Sequence, residues 1–375
     1  MQERGLLAWG AIVLAIVACG SETKNEDDPA SSSGTPGPGF GDGGDDGGGP
    51  KPCAKDEDCG TGGHCNLATK TCGCGGQNVA ADIVPPNLLI VLDRSCSMTD
   101  KVGATTKWDI AVAAIKDLLA TNKGKIHFGL EVFPDKTGDQ CVQDAPITVP
   151  VSPTADATID SLLGAALVKG DANFPDGPCV TNIDTAMTKA QTEPSFADKT
   201  RKSYVILLTD GMQSGCNAGG GDTGTVTAIT TLHGGGIDTF VIGFGDGVDK
   251  LQMTNFANAG FQPNPKGPPT YYDAADKPSL DAAFATIASQ ALSCTLKLAS
   301  PPPGGDPSLL YVFVDKDPTP VPRNVTHGDH WDYDAASQTV TFYGADCDAL
   351  KSGQTQNVSV VFGCPGGPVP TNPVK

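Results

Sequence analysis

Residues 78–293 predict an α/β fold, a doubly wound, mostly parallel sheet with helices on both faces. Two observations predict it. Four runs, "NLLIVLD" (87–93), "IHFGLEVF" (126–133), "SYVILLTD" (203–210) and "DTFVIGFG" (238–245), are apolar almost throughout, as strands covered on both faces must be. Between them the apolar residues fall at helical spacing. Trp108, Ala111, Val112, Ile115, Leu118 and Leu119 share one helical face, as do Ile159, Leu162, Leu163 and Ala166, and later Leu280, Phe284, Ile287 and Ala291. Buried strands alternating with amphipathic helices make a parallel sheet covered on both sides.

The rest of the 375-residue chain brackets this stretch. Leu6 to Ala18 is one apolar run, too short to span a bilayer comfortably, and 1–18 reads as a secretory signal. Its end, "IVACG", looks like a bacterial lipobox, which implies cleavage before Cys19 and lipidation of that cysteine. The resemblance is to lipoproteins of myxobacterial type, and Gly20 after the cysteine is compatible with outer-membrane sorting. A soluble export signal with an incidental cysteine is the competing reading. Segment 19–52 adds seven acidic residues and one lysine between Ser21 and Pro50, with almost nothing to bury. Such a Gly-rich coil is a self-repelling tether, holding the folded part of the chain on the order of 30 Å from the membrane.

Thirteen cysteines, less Cys19, leave an even twelve, which in an exported chain read as up to six disulfides. Cys53, Cys59, Cys65, Cys72 and Cys74 crowd into 53–77, a segment without a core that resembles short EGF-like modules. Five is odd, so one of these pairs outside the cluster. From Cys294 the texture changes to short strands among Pro, Gly and Asp turns, with a helical period only at "CDALKSG", so 294–365 reads as a small β-rich appendage and 366–375 as a tail. The net charge of −18 argues against nucleic acid or anionic lipid as a partner surface, leaving the lipid anchor as the membrane contact.

Chemistry concentrates at strand ends. "NLLIVLDRSCSM" delivers Asp93, Ser95 and Ser97 at the carboxyl end of the first strand, and "VILLTDGM" delivers Asp210 the same way. Thr181 precedes a helix in "GPCVTNIDTAM". In an open doubly wound sheet, ligands bind beyond the carboxyl ends of the strands, where strand order reverses. Two carboxylates and three hydroxyls there suit a hard divalent cation, Mg²⁺ or else Mn²⁺ or Ca²⁺. Asp and Ser after a strand also cap turns, which is the bland alternative.

The set "DRSCSM", Thr181 and "LLTDG", followed by "TFVIGFGDGVDKLQMTNFANAG" and "YYDAADKPSLDAAFATIA", resembles the von Willebrand factor type A domain and its metal-ion-dependent adhesion site. The resemblance implies that Ser95, Ser97 and Thr181 coordinate the ion while Asp93 and Asp210 act chiefly through water. It implies an Asp or Glu of a protein partner completing the shell, favoured further by the dipole of the helix at Thr181. Cys96 departs from the family, which usually has Gly there. Cys216 follows Asp210 on the strand expected to neighbour the first, so Cys96–Cys216 is the expected bridge, with Cys141–Cys179 as the second. A thiolate at Cys96 serving a softer metal is the alternative.

The remaining candidates have ordinary readings. His327 and His330 stand at zinc-ligand spacing without a third ligand nearby, which favours a turn. Asp315 and Asp317 are turn composition before a calcium site, Trp331 and Tyr333 packing before a sugar platform, and Asn324 and Asn357 match glycosylation sequons of little weight in bacteria. Phosphate loop, nucleophile elbow and metalloprotease helix are absent from the sequence. The expected function is cation-dependent binding of a protein from the envelope surface, without enzymatic activity. Its rivals are a structural envelope lipoprotein and, less favoured, a metal-dependent hydrolase.

Overall fold

The computed structural model describes residues 52–55, 58, 64–66, 70–73, 77–213, 215–302, 305–363 and 369–374. The export signal, Cys19, the tether, Cys364 and most of the cysteine-rich segment lie outside them. Cys53 is disulfide-bonded.

A hairpin of β1 (His64–Asn66) and β2 (Thr71–Gly73) is followed by two short strands, β3 (Gln77–Val79) and β4 (Ala81–Ile83). Then come β5 (Asn87–Asp93), a small hairpin of β6 (Lys101–Val102) and β7 (Thr105–Thr106), and α1 (Lys107–Thr121). β8 (His127–Phe133), β9 (Val149–Ser152), α2 (Ala155–Ala165), α3 (Ile183–Ala190) and β10 (Ser203–Thr209) form the middle of the chain. α4 (Gly221–Gly234), β11 (Ile237–Phe244), α5 (Lys250–Gly260), β12 (Tyr272–Ala274) and α6 (Lys277–Ala291) come next. The last elements are β13 (Thr295–Leu298), β14 (Leu310–Val314), β15 (His330–Asp334), β16 (Thr339–Tyr343), α7 (Gly344–Ser352) and β17 (Val358–Phe362).

The main sheet runs β12-β11-β10-β5-β8-β9, parallel except for the antiparallel edge strand β9. All seven residues of β5 are buried, and they divide between two cores. Leu88, Ile90 and Leu92 pack under Trp108, Ile115, Ile159 and Phe284 of α1, α2 and α6. Leu89 and Val91 face Ile183, Met187, Ile229 and Phe256 of α3, α4 and α5. This two-sided burial is why the strand reads as an unbroken apolar run rather than an alternating one. Exposed Pro150 in β9 fits an edge, where a missing amide costs no ladder bond.

The short strands correct one boundary. β4 pairs with β13 in the four-stranded sheet β15-β16-β13-β4, and β3 pairs with β17 in the three-stranded sheet β14-β17-β3. Val79, Leu296, Val312, Trp331, Phe342 and Val360 fill the space between these two sheets. Residues 78–83 therefore belong to a β-sandwich with the C-terminal segment, not to the α/β unit, which is inserted into that sandwich. A bond from Val84 N to Thr295 O, 3.0 Å, brings the two crossing points together. Three-residue strands are too short to carry a period, so only their partners far along the chain define them.

Candidate metal site

β5 is flanked by β8 on one side and β10 on the other, which puts the reversal of strand order between β5 and β10. Asp93 ends β5 and Asp210 follows β10, so the two carboxylates straddle that crevice. Asp93 Oδ1 accepts from Ser95 N at 2.7 Å and Oδ2 from Thr209 Oγ1 at 2.6 Å. The short 3₁₀ turn Cys96–Thr99 folds Ser97 back, leaving its hydroxyl 3.0 Å from that of Ser95. Ser97 Oγ donates to Asp210 Oδ1 at 2.8 Å. Thr181 comes from the loop before α3: a Cβ built on Gly211 would stand 3.4 Å from Thr181 Oγ1 and 4.0 Å from Ser97 Oγ. Gly211 thus places Thr181 and Ser97 on either side of one backbone position. All five expected residues thus meet at one edge, four of them buried and Ser97 half-buried.

The electrostatics fit a cation. Burial, and next the neighbouring Asp210 carboxylate, push Asp93 up to about 7. Thr181 Oγ1 makes no hydrogen bond among the described residues, and the oxygens available are neutral hydroxyls backed by two carboxylates. Such a donor set suits Mg²⁺ or another hard divalent ion.

Two side chains not anticipated from the sequence organise the surroundings. Lys107, the first residue of α1, places Nζ 2.7 Å from Asp210 Oδ2. Buried Arg94 donates from Nε and Nη2 to Pro134 O (3.0 and 2.7 Å) and from Nη1 to Ala172 O, joining the loop after β8 to the one before α3. The capping pair Thr106 and Asp109 is legible in "TTKWD" and fixes where α1 starts. Where the lysine between them reaches is a through-space fact.

Both expected bridges at the site are corrected. The disulfides are Cys96–Cys179, with Cα atoms 4.7 Å apart, and Cys141–Cys216, at 5.2 Å. Thr181 must approach Ser97, and that brings Cys179, two residues earlier, against Cys96, one residue before the serine. The turn after Asp210 carries Cys216 past Cys96 to the loop after β8. Neighbouring strands therefore did not make neighbouring loop tips. Cys96, being bonded, is no thiolate ligand. The same four cysteines tie all four loops around the site. The helix N-terminus at Thr181 also differs from expectation: Asp184 N donates to Gln213 Oε1 and Thr185 N to Asp184 Oδ1, so these amides are already engaged.

Elsewhere the ordinary readings agree with the geometry. His327 stacks on Tyr343 and bonds Asp332, while His330 Nδ1 bonds Asp346 Oδ2 at 2.8 Å, so the two histidines serve different partners. Asp329, His330 and Asp346 each bring one ligand atom within 4.8 Å of the others. Asp317 accepts the Thr319 amide within a turn, Asp315 accepts the amides of Gln356 and Asn357 far along the chain, and Trp331 and Tyr333 are core residues.

No family model and no curated protein matches the chain. Among solved structures it is similar to proximal thread matrix protein 1 from the mussel byssus with a zinc-occupied MIDAS motif, at 15% identity over 63% of this chain and 51% of that one, TM-score 0.39. It is similar to a conserved hypothetical protein, BatB, of Bacteroides thetaiotaomicron, at 17% identity over 54% and 98%, TM-score 0.40. Manganese-loaded TRAP protein of Plasmodium vivax matches at 16% identity over 56% and 76%, TM-score 0.38. The chain spans about half the length of the mussel structures it matches. Likenesses of this depth concern the general chain path and carry nothing about what this chain binds.

Proposed function

We propose that this chain is an envelope lipoprotein whose α/β unit acts as a type A domain, binding a protein partner in a divalent-cation-dependent way. The observation that carries this reading is the convergence of Ser95, Ser97, Thr181, Asp93 and Asp210 on the switch-point crevice. Both carboxylates already accept two donors each, so their natural role is to orient the hydroxyls and act through water. The hydroxyls of Ser95, Ser97 and Thr181 are left to face the ion directly. When bound, the ion supplies a coordination position that an Asp or Glu of the partner completes; Mg²⁺ is our first assignment, ahead of Mn²⁺ and Ca²⁺. For residues flanking that acid we assign a trough of about 550 Å³ lined by Lys136, Gln140, Asp176 and Pro178, the last preceding the bridged Cys179 in the chain.

Lipidation at Cys19 would hold the protein at the outer membrane or cell surface, with 19–52 as the tether. Binding rather than catalysis is our reading, because both oxygens of each carboxylate are already taken, those of Asp93 by Ser95 N and Thr209 Oγ1 and those of Asp210 by Ser97 Oγ and Lys107 Nζ, although the raised value of Asp93 would by itself suit a base. In the rival structural reading, the ion only stabilises the fold.

Calorimetric titration of Mg²⁺, Mn²⁺ and Ca²⁺ into the disulfide-bonded chain tests the centre. We expect saturable binding, weakened at least about 100-fold in Asp93→Ala and Ser97→Ala, since each removes a ligand or its support. Absence of binding in the native chain would end the metal reading. Metal-raised thermal stability, without Mg²⁺-dependent retention of any acidic envelope protein, would favour the structural rival.

A further inference from the structure

One cation is built into the metal site. Lys107 is only 8% exposed, and its ammonium is 2.7 Å from Asp210 Oδ2. The path of its side chain is kept open by Gly245 after β11, and Gly247 lets the same loop approach the Asp210 backbone. A Cβ on Gly245 would stand 3.0 Å from Lys107 Cε, and one on Gly247 would stand 3.9 Å from Nζ and 2.6 Å from the Asp210 carbonyl oxygen. Gly245 also has a φ of +80°, which disfavours any side chain there.

A lysine beside a cation centre needs a reason, since like charges in a buried place repel strongly. Counting charges supplies one. With both carboxylates ionised, as a bound cation would hold them, Asp93 and Asp210 bring two negative charges, the three hydroxyls none, and Lys107 one positive, which leaves a net of −1. A divalent ion then makes the loaded site +1, and one incoming carboxylate neutralises it. Without Lys107 the loaded site would be neutral before any partner arrived. Geometry acts in the same direction. Asp210 gives Oδ2 to Lys107 and Oδ1 to the Ser97 hydroxyl, so it is held as a hydrogen-bond acceptor and not offered as a competing ligand.

We propose that Lys107 sets the ligand specificity of this site, weakening its hold on the free cation while strengthening the loaded site's preference for a carboxylate-bearing partner. The proposal rests on the divalent-cation reading above, and its test separates the two.

The test uses the full disulfide-bonded chain, native and as Lys107→Met and Lys107→Gln. Mg²⁺ affinity is read by calorimetry, and acetate affinity of the Mn²⁺-loaded protein by water-proton relaxation. Each variant should bind Mg²⁺ about tenfold tighter and acetate about tenfold more weakly. Opposite signs are the signature. Glutamine keeps an N–H donor for Asp210 but no charge, so agreement between the variants assigns the effect to charge, and glutamine carries the test if methionine does not fold. A fall in both affinities means that Lys107 merely packs the site and overturns the inference, leaving the proposed function intact. A shift in the methionine variant alone overturns the charge argument. Failure of the native chain to bind any divalent ion would instead remove the functional reading first.

Discussion

In the α/β unit, Asp93 and Glu131 are fully buried, and burial is the first cause pushing each up to about 7. Glu131 stays there on bonds from Gln143 Nε2 at 2.8 Å and Thr148 N at 3.0 Å. The sandwich treats its acids differently. Against a desolvation cost, hydrogen bonds with His327 and Arg323 hold Asp332 below the usual range, and Ser337 does the same for exposed Asp334. One region raises a carboxyl group by burial at the place where a cation would relieve it; in the other, Asp332 and Asp334 are held low by local hydrogen bonds, while Asp329 keeps one buried oxygen without a partner. The disulfides divide in the same way. Two bridges cross between loops around the candidate metal site, whereas Cys294–Cys347 joins the start of β13 to α7 inside the sandwich. The candidate site is marked by two buried carboxylates side by side, Asp93 and Asp210, which neither Glu131 nor the cluster of Asp329, His330 and Asp346 reproduces.

The largest effect expected is on the sandwich. Trp331 is 1% exposed, and its Nε1 donates to Val321 O at 2.7 Å. Trp331→Ala should cost about 3–5 kcal/mol in denaturant unfolding, while metal affinity of the folded fraction stays as in the native chain. A parallel loss of metal affinity would break the division between the regions.

A smaller effect sharpens it. Replacing Cys96 and Cys179 together by Ser should cost about 2–4 kcal/mol and weaken Mg²⁺ binding, because Thr181 loses the tether that holds it near Ser97. The same change at Cys294 and Cys347 should lower stability and leave calorimetric Mg²⁺ affinity unaltered. Equal effects of both pairs on affinity would show that the bridges act only through global stability.

The third effect is a slope, small at each step of pH. Asp93 and Glu131 are raised from 3.8 and 4.5 to about 7, so between those values the folded state holds protons that the unfolded chain has released. Stability in chelator should therefore fall as pH rises from about 4 to about 7, by up to about 1.4 kcal/mol per pH unit for each group. Glu131→Gln should remove its share, and saturating Mg²⁺ the share of Asp93. For the lowered Asp332 and Asp334 the sign reverses, with stability lost as pH falls through their depressed values. Urea midpoints from pH 4 to 7, with and without Mg²⁺, check the first sign, and midpoints below about pH 4 check the second. A chelator curve flat from 4 to 7 would contradict the burial of the two acids.

Much of the α/β unit was legible because its signals are local. A strand buried on both faces must be apolar at consecutive positions, as Leu88 to Leu92 are, and a helix on its face must repeat near every third or fourth residue, as α1 does. The five oxygen-bearing residues were legible for a related reason: strand ends and helix starts are fixed along the chain, and the carboxyl edge collects the residues that come just after each strand. Less could be read where meaning lies in pairing. β3 and β4 carry no period of their own, and the four site cysteines were correctly placed around the crevice yet paired the wrong way.

The sequence by itself determined the layered sheet, the edge at which a ligand of such a sheet is expected and the oxygen set gathered there, since periodicity and strand termini are properties of neighbouring residues. Tertiary structure alone decided that the α/β unit is inserted into a sandwich, that Cys96 meets Cys179, and that Lys107 ends on Asp210. Each of those depends on the path of loops through space, where a shift of a few ångströms changes which side chains meet while leaving every local pattern unchanged.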